Sequence, residues 1–387
     1  MAKTTAALIL FLLGLTILLG YNYFARPFAD WVIEPAEFEE EVVEAKPVLS
    51  AADLAEQLLE AMSIEERVMT LLAVPVELGS ELEANQVVAE LETGLEGLPV
   101  VVTIFGSEIS SAQISDFDQA LMERRGQDTW LVVDHEGGSV QRLNGEGFTT
   151  LPSWQDQCQL EERELLELWS QVGTELSSAG IDVVLAPMVD FAANHPVLRG
   201  RVCDDDPQVV VGKSLIMAGA VQSAGVLPVF KHFPGIGQTQ YDLHRRGENI
   251  TVGLEEASVY RSLLAEQIWT AVMTSHVGVT NQFPDLPCSL SPDCVGELAA
   301  VTEEILIVTD ALEMEAALAS GDERLSLAEA SRRALMAGNH LLIYGPDVSF
   351  EDLAIVKSEL VEWYQDNPAF AQRLDEAVRV VLKYQLL

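Results

Sequence analysis

The stretch from Lys231 to His244 reads Lys-His-Phe-Pro-Gly-Ile-Gly-Gln-Thr-Gln-Tyr-Asp-Leu-His. Lys231 and His232 close a short apolar run, Leu227–Phe230, that reads as a strand. Two polar side chains able to bind oxygen-rich groups therefore stand at a strand end. Further on, Asp242 and His244 lie two residues apart. In an extended segment such residues point the same way. A carboxylate beside an imidazole orients the ring and supports its protonated form. His244 is thus a candidate general acid/base near neutral pH, with Asp242 behind it. The Pro-Gly-x-Gly between the two halves predicts a loop with freedom to move. Alone, Asp-x-His would read as a surface turn; the preceding Lys-His-Phe-Pro-Gly gives it weight.

Other short apolar runs end in the same manner. Trp130–Val133 ends at Asp134, Val183–Ala186 leads into Asp190, Ala271–Thr274 ends at Ser275 and His276, and Ile305–Val308 ends at Thr309 and Asp310. Further strands are expected at Met69–Ala73, Pro99–Phe105 and Leu341–Tyr344. Helical periodicity covers Ala51–Met62, Ile114–Arg124, Glu161–Ala179, Gln208–Ala224 and Leu327–Ala337. Strands alternating with helices predict a parallel sheet. Eight such strands favour a closed α/β architecture, a (β/α)8 TIM barrel forming a single catalytic domain over residues 51–387. In that fold the strand ends converge on one face. A single charged strand end could be a helix cap. Five on one face predict a binding or catalytic site.

The 387 residues include 61 Asp and Glu against 22 Lys and Arg, a net charge of −39. Such a chain repels the phosphate backbone, which excludes nucleic acid as a partner. Thr4 to Ala25 carries no charge and Ala6–Leu19 is almost wholly apolar. This approaches the roughly 20 residues a membrane-spanning helix needs. Residues 1–25 are expected to be a transmembrane signal anchor, embedded through residues 5–24, with Tyr21, Tyr23 and Phe24 at the interface. A cleaved signal peptide is the alternative. Residues 26–50 read as an acidic tether. The catalytic domain would then lie outside the cytoplasmic membrane, anchored or secreted. The four cysteines, Cys158, Cys203, Cys288 and Cys294, show no zinc spacing. An exported domain can form disulfides. Cys288 and Cys294 are the closer pair, and both a disulfide and four unpaired thiols remain open. No metal or cofactor is implied. His340 reads as a core histidine and His195 as a turn residue.

The chain resembles glycoside hydrolase family 3, in its β-N-acetylglucosaminidase (β-hexosaminidase) branch, over roughly residues 60–347. The resemblance rests on the Lys231–His244 stretch and on four others in the same order. These are Val133–Arg142 (Val-Asp-His-Glu-Gly-Gly-Ser-Val-Gln-Arg), Leu185–Asp190 with Arg201 and Asp206-Pro207, Met273–His276, and Thr309–Met314. It implies a retaining glycosidase with Asp310 as nucleophile and a His244/Asp242 acid-base dyad on a mobile loop. It also implies a sugar-binding set of Asp134, Arg142, Arg201, Lys231 and His232. The implied substrate is a terminal β-linked N-acetylglucosaminide, plausibly from peptidoglycan fragments. The chain departs from the family pattern at His135, Ser139, Ile236, Ala311 and Asn339-His340. The family commonly has Gln, Arg, His, Asp and Asp at these places, so the departures bear on substrate preference and rate.

Two other readings stay open. A family-3 enzyme could act on another β-sugar or transfer to phosphate, since an imidazole base does not repel an anionic acceptor as a carboxylate would. A membrane-anchored glycan-binding protein with lapsed catalysis would also account for Ser139, Ala311 and Asn339.

Overall fold

Ser50 and Ser63 open the folded part with reciprocal caps. Each hydroxyl accepts the N–H three residues on, and the acid there, Asp53 or Glu66, accepts the serine N–H in return. This arrangement satisfies two otherwise unpaired donors at a helix start. It produces helices Ala51–Ala61 and Ile64–Thr70. The second corrects the sequence reading of Met69–Ala73 as a strand: the cap at Ser63 carries helix through Thr70, and the strand begins at Leu72.

These features come from a computed structural model that describes residues 50–387, apart from 80–82, 192–194, 196, 252–253, 267–269, 281–282, 302–304 and 321–322. The expected signal anchor over residues 1–25, and residues 26–49 of the expected tether, lie outside the described residues. Among the described residues, no helix is long and apolar enough to cross a membrane.

Eight parallel strands form the central sheet: β1 Leu72–Leu78, β2 Val101–Gly106, β3 Trp130–Val133, β4 Val183–Val184, β5 Leu227–Phe233, β6 Ala271–Thr274, β7 Leu306–Thr309 and β8 Leu342–Ile343. Their order is β7-β6-β5-β4-β3-β2-β1-β8. The two edge strands meet as well. Val308 bridges Leu341 in parallel, and the Thr309 N–H donates to the Leu341 carbonyl at 3.0 Å. The sheet is therefore a parallel α/β barrel whose closure rests on few hydrogen bonds. Its strands read as apolar runs because both faces are buried; Leu131, Val132, Val133, Val229 and Phe230 are all 0% exposed. Helices Ser111–Arg125, Glu162–Ala179, Pro207–Ser223 and Leu327–Ala337 match the periodicity within a few residues. β5 runs to Phe233, so Lys231 and His232 lie within the strand rather than beyond it.

All four cysteines are paired, Cys158 with Cys203 and Cys288 with Cys294. The first bridge ties the turn after Trp154–Gln157 to the segment just past Arg201.

His135, just after β3, is fully buried against Phe148, with ring centroids 6.2 Å apart. Neither ring nitrogen has a hydrogen-bond partner among the described residues. Burial pushes its pKa down to about 4, opposed only weakly by Glu175. The folded protein thus holds a neutral ring that the unfolded chain would protonate below its ordinary value of 6.5. The associated stability, roughly 3 kcal/mol, is complete above pH 6.5 and is lost as pH falls through 4. His340, pushed to about 3 by burial, acts in the same direction. Asp182, raised to about 7 by burial, acts oppositely, its contribution fading as pH rises through 7. His135→Leu is expected to flatten the fall in thermal midpoint between pH 6.5 and 4. An unchanged slope would show that this ring is not the acid-sensitive element.

Candidate active site

The carboxylate of Glu136 organises one side of the barrel mouth. Glu136 is 2% exposed and lies in a short strand, His135–Gly137, that follows β3. Arg201 grips it through two bonds, Nε to Oε2 at 2.9 Å and Nη2 to Oε1 at 2.8 Å. Lys231 reaches it at 2.6 Å and reaches Asp134 at 2.7 Å. Burial alone would raise the Glu136 pKa. The two cations overcome it and hold the carboxyl at about 2. Lys231 is raised above the usual lysine value, because Asp134 and Glu136 outweigh its burial. The backbone makes this approach possible at Gly137, whose φ is +101° and where a Cβ would stand 2.3 Å from the Pro152 carbonyl oxygen.

Next along the mouth is Asp190, which accepts three hydrogen bonds. The donors are the His232 N–H at 3.1 Å, His232 Nδ1 at 2.7 Å and the Ile236 N–H at 2.7 Å. A proton on Nδ1 leaves Nε2 of the neutral ring as an acceptor.

Asp310 follows β7, and its N–H donates to the Thr274 carbonyl at 2.8 Å. One carboxylate oxygen accepts the Ala311 N–H at 2.9 Å. Burial would raise its pKa; His232, His276 and the Ala311 N–H reverse that and hold it below the ordinary value. An ionised carboxylate is the state a nucleophile requires.

The Asp242–His244 pair forms as expected, with Nδ1 at 2.8 Å from Asp242 Oδ1. Its basis differs. The segment is a turn rather than extended, and Asp242 also caps it by accepting the His244 N–H at 3.0 Å. Partial burial opposes ionisation of Asp242, but these hydrogen bonds prevail and lower its pKa. The loop docks beside Asp310. The Glu315 N–H donates to the His244 carbonyl at 3.3 Å, and the Ala316 N–H to the Leu243 carbonyl at 3.2 Å. The His244 ring is 71% exposed, open to a ligand or solvent. A cavity of about 790 Å³ beside the loop is lined by Tyr241, Arg245, Arg246, Asn249, His276 and Glu315.

Arg142 meets the cluster through its backbone, its N–H donating to the Asp134 carbonyl at 3.1 Å. Its guanidinium lies over Phe105, 5.7 Å from the ring centre, and Nε has no hydrogen-bond partner among the described residues. The structure thus brings Asp134, Lys231 and Arg201 into one ion-paired cluster and seats the Asp242–His244 loop against the segment after Asp310.

The sequence reading misses Glu136 and Glu313, and marks Asp190 and His276 only as polar strand ends. Glu136 and Asp190 sat inside quoted motifs without a role, although each is a carboxylate beside or after a strand end. His276 closes β6 and binds the Ala311 carbonyl through Nε2 at 2.9 Å. Glu313, three residues past Asp310, accepts the Gly345 N–H at 2.9 Å. Burial, reinforced by Asp310's charge, raises its pKa. His195 precedes a bend at residues 197–198 and ties it to the loop after β5. Its Nδ1 accepts the Val197 and Leu198 N–H groups, and Nε2 lies 3.0 Å from the Thr239 hydroxyl.

A family model, the glycosyl hydrolase family 3 N terminal domain, matches residues 64–383. The chain belongs to glycosyl hydrolase family 3. A β-hexosaminidase of Bordetella avium is 30% identical over 226 residues, 54% of this chain and 64% of that protein. The stretch shared with that relative is thus under two thirds of its length. A β-hexosaminidase of Hydrogenovibrio crunogenus is 32% identical over 251 residues, 60% of this family-3 chain and 69% of that one. The crystal structure of a β-N-acetylhexosaminidase from Beutenbergia cavernae has a TM-score of 0.73 at 24% identity, covering 84% of this chain and 99% of its own. That likeness is one of fold. The family expected from the motifs is borne out.

Proposed function

We propose that this family-3 chain is a retaining β-N-acetylhexosaminidase with a (β/α)8 catalytic domain over residues 51–387. In this reading Asp310 attacks the anomeric carbon and forms a glycosyl-enzyme. His244, oriented by Asp242, protonates the leaving oxygen and then activates water. Asp134, Arg142, Arg201, Lys231 and His232 bind the sugar hydroxyls and amide. The observation that carries it is the docking of residues 243–244 on 315–316, which brings an exposed imidazole toward Asp310, a half-buried carboxylate held below its ordinary pKa. The β-hexosaminidase relatives support a terminal β-N-acetylglucosaminide as the substrate, and peptidoglycan fragments are the source this reading assigns. An anchor within residues 1–25 would hold the domain outside the cytoplasmic membrane.

Two of the departures that suggested lapsed catalysis, at Ala311 and Asn339, have structural roles of their own. Ala311 contributes backbone groups, and Asn339 is buried with both amide atoms bonded. Transfer to phosphate is the second reading. It is favoured by Arg245 and Arg246, which line the cavity next to His244.

The test uses chromogenic β-N-acetylglucosaminide and β-glucoside, with and without phosphate. Turnover of the first, independent of phosphate, is expected. His244→Ala is expected to slow poor leaving groups by about 10²–10⁴-fold and nitrophenolates much less, because protonation assists only the former. Equal loss on both would remove His244 from the acid role. Phosphate-dependent turnover would favour the phosphorylase.

A further inference from the structure

Behind Asp310 lies a buried polar chain that the proposed reaction leaves without a role. The Ala311 residue is gripped at both ends. Its N–H donates to Asp310 Oδ1 at 2.9 Å. Its carbonyl accepts from His276 Nε2 at 2.9 Å and from the Met314 N–H at 3.2 Å. A carbonyl can only accept, so Nε2 carries a proton. Nδ1 lies 2.7 Å from the Ser289 hydroxyl. Burial lowers the His276 pKa, against the pull of Asp310's charge.

The far end of the chain is fixed as firmly. Ser289 lies in the turn Cys288–Leu290 and is 0% exposed. The Cys288–Cys294 bridge ties this turn to the helix Pro292–Ala299. Both cysteines are 0% exposed. The Ser289 N–H donates to the Ser275 carbonyl at 3.0 Å, and the Cys288 N–H to the Val277 carbonyl at 2.8 Å. The Ser289 carbonyl accepts from Asn339 Nδ2 at 2.7 Å, while Asn339 Oδ1 accepts the Thr274 hydroxyl at 2.7 Å. The amide at position 339 can donate and accept at once, which a carboxylate there could not do.

We infer that His276 and Ser289 are positioning residues for Asp310, acting through Ala311, and that the Cys288–Cys294 bridge anchors the relay. The ring holds the Ala311 carbonyl, which sets the Ala311 N–H, which in turn fixes the carboxylate rotamer. His276 also lines the cavity beside the loop, so the split between kcat and KM separates positioning from binding. The inference rests on the reading of Asp310 as nucleophile.

Four variants of the full chain test it, each checked for folding by thermal melting. His276→Leu deletes both ring contacts and is expected to lower kcat about 100-fold, the scale of a misplaced reacting group, with KM changed less than about threefold. The acid limb of kcat/KM should move to higher pH, because Asp310 loses an ordered donor. His276→Gln offers an amide N–H to Ala311 and an amide oxygen to Ser289, so it should retain kcat within about fivefold of wild type. Replacing both Cys288 and Cys294 by serine should lower kcat about 10-fold while leaving the other bridge intact. Glutamine and leucine variants of equal activity would overturn the relay, as would a loss confined to KM or an unmoved acid limb. If His276→Leu fails to fold, the double serine variant decides by the same kcat and pH readouts. Asp310→Ala run alongside separates the two failures. If it is active, the nucleophile reading falls. If it is inactive while the relay variants are normal, only the relay falls.

Discussion

Asp310→Ala is expected to lower kcat/KM by roughly 10⁴-fold or more, the scale on which enzymes lose rate with their nucleophile. The physical basis is the state of the carboxylate. Against the cost of desolvation, Asp310 is held below the ordinary carboxylate value, with the Ala311 N–H donating to one of its oxygens. Removing it leaves no anion to bond the anomeric carbon or to balance positive charge developing on the ring. The acid-base dyad stays intact, because Asp242 and His244 hold each other through the loop's own turn. A small external anion such as azide should therefore re-enter the vacated space and partly restore cleavage, giving the α-glycosyl azide. Cleavage undiminished in the alanine variant would place the nucleophile elsewhere.

The second large effect is on stability. Glu136→Ala is expected to destabilise the protein by about 3–5 kcal/mol, read from denaturant unfolding at pH 7, because two cations lose their buried counter-charge. Arg201 donates two of its bonds to this carboxylate, and Lys231 is 2% exposed and shares it with Asp134. The depressed pKa of Glu136 gives the same scale. A carboxyl held at about 2 instead of 4.5 is worth roughly 3 kcal/mol above pH 4.5, a contribution lost as pH falls through 2. Sugar affinity should fall as well, since Arg201 and Lys231 would be free to reorient. An unchanged unfolding midpoint would mean that the cations find other partners.

Much of the barrel was legible because its strands are buried on both faces and read as apolar runs. Five of the eight strand ends carry charged or polar side chains, and Leu327–Ala337 begins and ends where its periodicity does. The errors have particular causes. The reciprocal Ser63–Glu66 cap was overlooked, so a helical turn before β1 was read as strand. The Asp242–His244 pair was inferred from extended alternation, whereas a capped turn makes it. Glu136 was invisible as an organiser because its role depends on Arg201 and Lys231, which are remote in sequence and meet only in the folded barrel. The same holds for the His276–Ser289–Asn339 contacts. The pairing of Cys158 with Cys203 spans 45 residues, and spacing alone could not choose it.

The central claim is that the Asp310 carboxylate becomes covalently bonded to the sugar. The direct measurement is mass spectrometry of the protein after reaction with a fluorinated N-acetylglucosaminyl fluoride, which forms the glycosyl-enzyme faster than it is hydrolysed. One sugar mass on the peptide containing Asp310, absent from the alanine variant, is the expected result. A label on another side chain, or an active enzyme that takes no label and releases product of inverted configuration, would contradict it.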